Sequence, residues 1–240
     1  MLKFFCRTQA IARTPRVVFG IVPALGLALG LTLLAASSPA QAQSSNTPKT
    51  PMEKLGDHID FAISGDGEIT RNTSGPITPT TATNYGTILT QSPSNTVGVL
   101  VSIRYIAKPY FGLEFNFGYA RYTENYSYSP YGVQTNAKEY TLGYVGHLKR
   151  KVFGTTPFAG GGLGTTAFKP TRLGGESLSE QARMTYFYEA GAEAPFNEHF
   201  GARVQFRQLF FIAPDFGQNY LTNVQHTSTI EPAFGFYLHF

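Results

Sequence analysis

Apolar and polar residues alternate with a period of two along most of the chain from Ile59 onward. Such alternation indicates β-strands that expose one apolar and one polar face. It is clearest in the last segment, whose apolar face carries Ile230, Pro232, Phe234, Phe236, Leu238 and Phe240. Seven earlier strands are predicted at residues 59–63, 97–105, 111–119, 140–148, 157–168, 184–194 and 200–206. The fifth is so rich in glycine that its facing is ambiguous.

The connections between these strands alternate in length. Short turns are predicted at residues 107–109, 149–154 and 195–199, and long polar stretches at 67–95, 123–137, 169–183 and 212–226. Strands of about ten residues with this alternation are typical of bacterial outer-membrane barrels. The sequence therefore predicts an all-β fold, an eight-stranded antiparallel transmembrane β-barrel at 57–240 with short periplasmic turns and longer extracellular loops.

A soluble β-sandwich or a lipocalin-like barrel would also show alternation. In such a protein the second face would meet water and should be charged. Here that face is mainly small or polar, with Gly98, Ser102, Gly112, Asn116, Gly118, Thr141 and Gly143. This composition favours the crowded lumen of a small membrane barrel.

The first residues predict export. Lys3, Arg7, Arg13 and Arg16 form a basic region, an apolar run spans 17–36, and Ala40-Gln41-Ala42 matches a cleavage site. This is the order of a signal peptide, here 1–42, followed by a periplasmic linker at 43–56. The alternative is an uncleaved membrane anchor, since the run approaches spanning length.

Removal of 1–42 changes the charge balance. Four of the 19 basic residues and none of the 15 acidic residues lie there, so the remaining chain is formally neutral. Nucleic-acid binding is therefore not expected, because such proteins keep a basic face. The single cysteine, Cys6, also lies in this segment, so the exported chain should contain no disulfide or thiol nucleophile.

Charged residues recur on the polar faces of the predicted strands: Arg104, Glu114, Glu189, Glu193, Arg203 and Arg207. A turn centred on Pro109 opposes Arg104 to Glu114, and a turn centred on Glu198 pairs Glu193 with Arg203 and Glu189 with Arg207. Because charge on the lipid face is costly, this set should form a charge network in the lumen. It is interpreted as a structural plug, since eight strands leave room only for side chains. An ion or proton path is the alternative.

His226 and Ser228 are the catalytic candidates in the sequence. A His-x-Ser on a late strand is similar to the motif of outer-membrane lipid A deacylases. A serine nucleophile also needs an orienting group. Thr229 stands where that motif continues with Asn, and Glu231 is too close to be its downstream acid. We therefore expect these two residues to form a polar end of the strand below an extracellular loop, and we expect the protein not to be an enzyme.

Three further motifs suggest ligands but have simpler explanations. Gly160–Gly164 lacks the frame of a phosphate loop and should make room for bulky neighbours. Asp66-Gly67-Glu68 offers too few ligands for calcium. The loop tyrosines form either a binding surface or a rim at the lipopolysaccharide headgroups; they are Tyr122, Tyr126, Tyr128 and Tyr131.

The end of the chain resembles an outer-membrane assembly signal, with apolar residues at Phe236 and Leu238 and a terminal Phe240. Residues from about 57 to 240 resemble the small outer-membrane β-barrel family that includes the OmpA membrane domain and OmpX-like proteins. The strand-like segments that carry this resemblance begin at Ile103, Pro157 and Glu189. The resemblance implies fold and outer-membrane location, and it leaves function open because members have diverse roles.

The sequence as a whole predicts a non-enzymatic outer-membrane barrel with a structural or surface-interaction role. A lipid A-modifying hydrolase and a narrow channel are the alternatives. No cofactor or metal is expected. The expected partners are outer-membrane lipid, lipopolysaccharide and the outer-membrane assembly machinery.

Overall fold

The computed structural model describes residues 58–108, 110–172 and 175–240. Eight antiparallel strands form the barrel wall. Their order around the wall is β4-β1-β10-β9-β8-β7-β6-β5, and β5 pairs with β4 to close the barrel. The strands are β1 (Ile59–Thr70), β4 (Thr96–Lys108), β5 (Phe111–Tyr126), β6 (Val133–His147), β7 (Thr156–Arg172), β8 (Gln181–Pro195), β9 (Phe200–Ile212) and β10 (His226–His239). The predicted all-β, eight-stranded barrel is confirmed.

The first long connection has structure of its own. It contains a hairpin of β2 (Thr73–Pro76) and β3 (Ile88–Pro93), and β3 pairs with the extracellular end of β5. β5 and β6 also extend well into the stretch predicted as a loop at 123–137, so their connection is only residues 127–132. The frequent polar residues at these positions predict loops, yet the backbone pairing of the barrel continues through them.

The two faces of the wall are inverted relative to a soluble barrel. Large apolar side chains point outward and are exposed, including Ile63, Ile103, Phe115, Leu142, Val204, Phe206 and Phe234. The inward side chains are mostly polar and are buried, such as Ser102, Asn116, Thr141, Thr185 and Gln205. Lipid is the solvent that such an outer face requires, so this arrangement supports the membrane barrel.

The facing of the glycine-rich fifth barrel strand, β7, is now defined. Phe158, Thr166 and Phe168 are buried in the lumen, whereas Leu163 is 53% exposed on the outer face. Gly143 and Gly191 on the neighbouring strands also point inward. A methyl group on Gly143 would lie 2.8 Å from the Phe187 ring, and one on Gly191 would lie 2.5 Å from the Phe158 ring. Glycine therefore makes room for the lumen phenylalanines.

An apolar cluster fills the extracellular end of the lumen. Its members come from the β2–β3 hairpin, the inner wall and the β9–β10 connection, and include Ile77, Leu89, Tyr122, Tyr126, Phe168, Leu209, Phe211, Phe216 and Leu221. Tyr122 and Tyr126 are thus buried. Only Tyr128 and Tyr131 of the four loop tyrosines are exposed, because β5 runs further than the polar sequence indicates.

Several predicted features lie outside the described residues. These are the signal peptide at 1–42, the linker at 43–56, Asp57 at the predicted start of the barrel, and Pro109 in the β4–β5 turn. Within the described part of the chain, no helix is long and apolar enough to cross a membrane.

Candidate functional site: the charged lumen

Arg104 of β4 is fully buried in the periplasmic half of the lumen. Its Nε donates to Glu114, the residue directly opposite on β5. Nη1 donates to Glu193 Oε1 at 2.6 Å, and Nη2 donates to Glu189 Oε1 at 3.3 Å. Both of these glutamates belong to β8, which does not pair with β4. Arg104 therefore ties together opposite walls of the barrel.

Aromatic rings support the two arginines of this half. The Arg104 Cζ atom lies 4.1 Å from the centroid of the Phe158 ring, and that of Arg203 lies 5.8 Å from the same ring. Arg203 Cζ also lies 5.5 Å from the Tyr237 ring, and its Nη2 is 2.9 Å from Glu193 Oε1. Guanidinium groups over aromatic faces gain a cation–π attraction that strengthens when water is excluded.

Arg207 of β9 organises the extracellular half. Its Nη2 donates to Glu139 Oε1 at 2.5 Å, and its Nη1 donates to Glu231 Oε2 at 2.8 Å. Its Nε lies 3.6 Å from Glu189 Oε2, and its Cζ lies 5.1 Å from the Phe187 ring. Glu189 is within ion-pair distance of both Arg104 and Arg207, so it joins the two halves.

The structure brings together all six charged residues that the sequence assigned to the lumen. The pairs read from the turns are directly opposed in the strand register: Arg104 with Glu114, Glu193 with Arg203, and Glu189 with Arg207. The last pair is the longest contact of the three. Sequence reasoning missed the closer partners of Arg207, which are Glu139 and Glu231. Their strand parity points inward, but Glu139 reaches Arg207 across the lumen, and no turn can reveal that contact.

Glycines on the inner wall make room for two of the carboxylates. A methyl group on Gly118 would lie 3.2 Å from Glu139 Oε2, and one on Gly160 would lie 3.0 Å from Glu189 Oε1. Both distances are tighter than ordinary van der Waals contact. Gly160 opens the glycine-rich run of β7, so that run serves close packing, as expected.

Three carboxylates lie close together, and one of them, Glu231, is the partner of Arg207. Oxygens of Asp66, Glu68 and Glu231 all lie within 4.8 Å of one another. Asp66 is 8% exposed, and its Oδ1 has no hydrogen-bond partner. Gly98 stands opposite Asp66 on β4, and a methyl group there would lie 3.0 Å from Asp66 Oδ2. β1 and β10 are the first and last barrel strands, so their pairing brings these residues together.

Hydrogen bonds join two of the extracellular connections over the mouth of the barrel. The Gln91 side chain of β3 donates to the carbonyls of Pro214 at 3.3 Å and Leu221 at 3.4 Å. The amide of Thr78 donates to the carbonyl of Thr222 at 3.0 Å. These bonds hold the β2–β3 hairpin against the β9–β10 connection, over the apolar cluster.

His226 and Ser228 lie together on the outer face at the extracellular start of β10, on the side away from Thr227 and Thr229. No side-chain hydrogen bond of either residue occurs among the described residues. Glu231 points into the lumen and pairs with Arg207, so it cannot orient His226. A serine nucleophile needs a group that orients its base, and in the described part of the chain no acidic side chain is bonded to His226.

The three residues of the predicted assembly signal form an outward apolar stripe at the periplasmic end of β10. Phe236 and Leu238 are about half-exposed on the outer face, and Phe240 follows the strand. The amide of Phe240 donates to the carbonyl of Ile59 at 3.3 Å. The end of the chain is therefore tied to the start of β1 while its side chain stays accessible.

Comparisons with known proteins find a matching family and several similar structures. The outer membrane protein beta-barrel domain family matches residues 27–227. The outer membrane protein OprG from Pseudomonas aeruginosa has a similar structure, with TM-score 0.55, 15% identity, and 78% of this chain and 99% of OprG covered. Neisserial surface protein A has TM-score 0.49 and 12% identity, with 75% and 97% covered. Ail of Yersinia pestis, in complex with a heparin analogue, has TM-score 0.43 and 15% identity, with 76% and 99% covered.

A comparison with curated protein sequences finds no match. The family match spans well over half of the chain, and the OprG likeness independently supports the fold. The chain therefore belongs to the outer membrane protein beta-barrel domain family and is an outer-membrane protein.

Proposed function

We propose that this protein is a non-enzymatic, structural barrel of the outer membrane with a closed lumen that does not conduct. The observation that carries the proposal is the burial of the lumen charges. Arg104, Arg203 and Arg207 are each at most 1% exposed. A water-filled path would leave these guanidinium groups accessible to solvent. Eight-stranded barrels generally have just enough interior space for side chains.

The closed mouth supports the same proposal. The apolar cluster lies between the charged lumen and the extracellular side, and Gln91 ties its two covering segments together. A solute entering from outside would first have to displace these segments. Two independent features, the charge network and the apolar cluster, thus oppose conduction.

We propose that the extracellular surface contacts lipopolysaccharide headgroups. Tyr128 and Tyr131 are 53% and 68% exposed beside small polar residues, a composition that binding surfaces use. The outward aromatic residues of the wall suit the membrane interface. We also propose that the chain is exported after cleavage at residue 42. The C-terminal stripe then engages the assembly machinery.

Planar-bilayer recording of the refolded full barrel tests the closed lumen. Wild type should give no stable conductance of porin size, because wide aqueous channels need many more strands. A large, steady conductance would make the channel the better account.

The enzyme alternative is tested by incubation with lipid A. Wild type and Ser228→Ala should release equally little fatty acid, and serine-dependent release would make the protein a hydrolase.

A further inference from the structure

We propose that Asp66, Glu68 and Glu231 bind a calcium ion in the extracellular half of the lumen. Asp66 and Glu68 lie on β1, two residues apart, and Glu231 lies on β10. Alone, the Asp66-Gly67-Glu68 segment offers too few ligands. The pairing of β1 with β10 adds a third carboxylate, and oxygens from all three lie within 4.8 Å of one another.

The charge balance around the cluster calls for a cation. Glu139 and Glu231 share one buried guanidinium, that of Arg207, and Asp66 and Glu68 lie beside Glu231. The two Nη atoms of Arg207 are already committed to Glu139 and Glu231. In the described residues no ion pair or side-chain hydrogen bond reaches Asp66 or Glu68. Arg71, the other arginine beside this part of the lumen, is exposed at the mouth.

Two unpartnered oxygens point to a ligand at this place. Asp66 is buried, with only 8% of its surface exposed, yet its Oδ1 has no hydrogen-bond partner. Glu124 is 2% exposed, and its Oε1 also has no partner. Glu124 lines the same cavity as Glu68 and Glu231. Buried oxygens of this kind are normally satisfied, so each one requires an explanation.

The donor set fits calcium better than magnesium or a transition metal. Carboxylate oxygens are hard ligands, and no thiol or imidazole belongs to the cluster. Calcium accepts about six to eight oxygens in irregular geometry, and carboxylates can bind it through both oxygens. Three carboxylates together with cavity hydroxyls, such as that of Thr229, supply oxygens without the near-octahedral order that magnesium demands.

Terbium luminescence provides a direct test on the refolded full barrel. Tyr122 lines the cavity and can sensitise a bound terbium ion. The ion should be added during refolding, because the closed mouth slows entry. Wild type should show tyrosine-sensitised emission that calcium displaces and sodium does not. Asp66→Asn and Glu68→Gln should each weaken terbium binding by roughly tenfold or more, since affinity follows the ligand charge.

Calcium should also raise the unfolding temperature of wild type by several degrees relative to chelator. Ligands that bind only the folded state act in this way. Loss of the compact, faster-migrating form on a gel reports the unfolding. Glu198→Gln is the matched control, because Glu198 lies in an exposed periplasmic turn and should keep both responses. If wild type shows no calcium-sensitive emission and unfolds at the same temperature in calcium and chelator, the proposal is wrong. If Asp66→Asn keeps the full calcium response, the site is also wrong.

Discussion

Arg207 of β9 and Glu139 of β6 meet across the lumen, with Nη2 2.5 Å from Oε1, although neither strand pairs with the other. Arg207→Ala should therefore lower the free energy of unfolding by about 3–5 kcal/mol, since it leaves buried carboxylates without their cation. The double variant with Glu139→Ala should lose less than the sum of the single losses. Urea unfolding, followed by loss of the compact gel band, measures all three.

The exposed pair of Lys138 and Glu180 is the control. These side chains are 3.8 Å apart and are 39% and 42% exposed. Their alanine variants should change the unfolding free energy by at most about 1 kcal/mol, and they should be nearly additive. Equal losses at both pairs, or additive losses at Arg207 and Glu139, would mean that the lumen contact does not stabilise the barrel.

Gly191 should not tolerate a side chain. A methyl group there would clash with the Val204 carbonyl and lie 2.5 Å from the Phe158 ring, which supports Arg104. Gly191→Ala should destabilise the barrel by about 1–3 kcal/mol, as overpacking does. Gly65→Ala is the control, because nothing lies within 4 Å of its added methyl. Similar urea midpoints for both variants would show that the Phe158 ring does not lie against Gly191.

The outer face should reject charge. Val101 lies in the middle of β4, opposite Ile63 and Phe117 on the outer face. Val101→Arg should oppose insertion into liposomes by about 2–4 kcal/mol if it lies near the midplane. Ser129→Arg, in an exposed loop, should fold with normal yield. Equal yields from the two variants would favour a soluble barrel.

Asp215 should make the β9–β10 connection sensitive to acid. Burial raises the pKa of Asp215, but hydrogen bonds from Gln181 and Thr222, together with Arg183, outweigh it and hold the pKa below its usual 3.8. The carboxylate therefore stabilises the loop above that value, and the contribution is lost as pH falls through the lower folded pKa.

Hydrogen exchange of residues 213–225, corrected for the intrinsic rate, measures this effect. Protection should fall in wild type between about pH 5 and pH 2. Asp215→Asn should have low protection already at pH 5 and a flatter profile. An unchanged profile in Asp215→Asn would show that the carboxylate does not hold the connection.

The sequence predicted those parts of the molecule that depend on local pattern. Alternation identified the strands, and turn centres gave the pairing of Arg104 with Glu114. The contact of Arg207 with Glu139 was not predictable, because it depends on the diameter of the closed barrel. The proximity of Glu231 to Asp66 was not predictable either, because the two lie far apart in the chain and only the pairing of β1 with β10 brings them close. The polar neighbours of Tyr122 predict a loop, whereas the residue is buried within β5.

The accessibility of a lumen cysteine tests the closed barrel most directly. The only native cysteine, Cys6, precedes the predicted cleavage site, so an introduced thiol can be followed alone. Ser102 is 2% exposed in the lumen and Ser129 is exposed in a loop, and serine and cysteine are close in size. Intact cells carrying Ser102→Cys or Ser129→Cys are treated with a membrane-impermeant maleimide. Rapid labelling is expected at 129 and labelling at 102 only after unfolding, whereas equal rates in the folded protein would contradict a closed lumen.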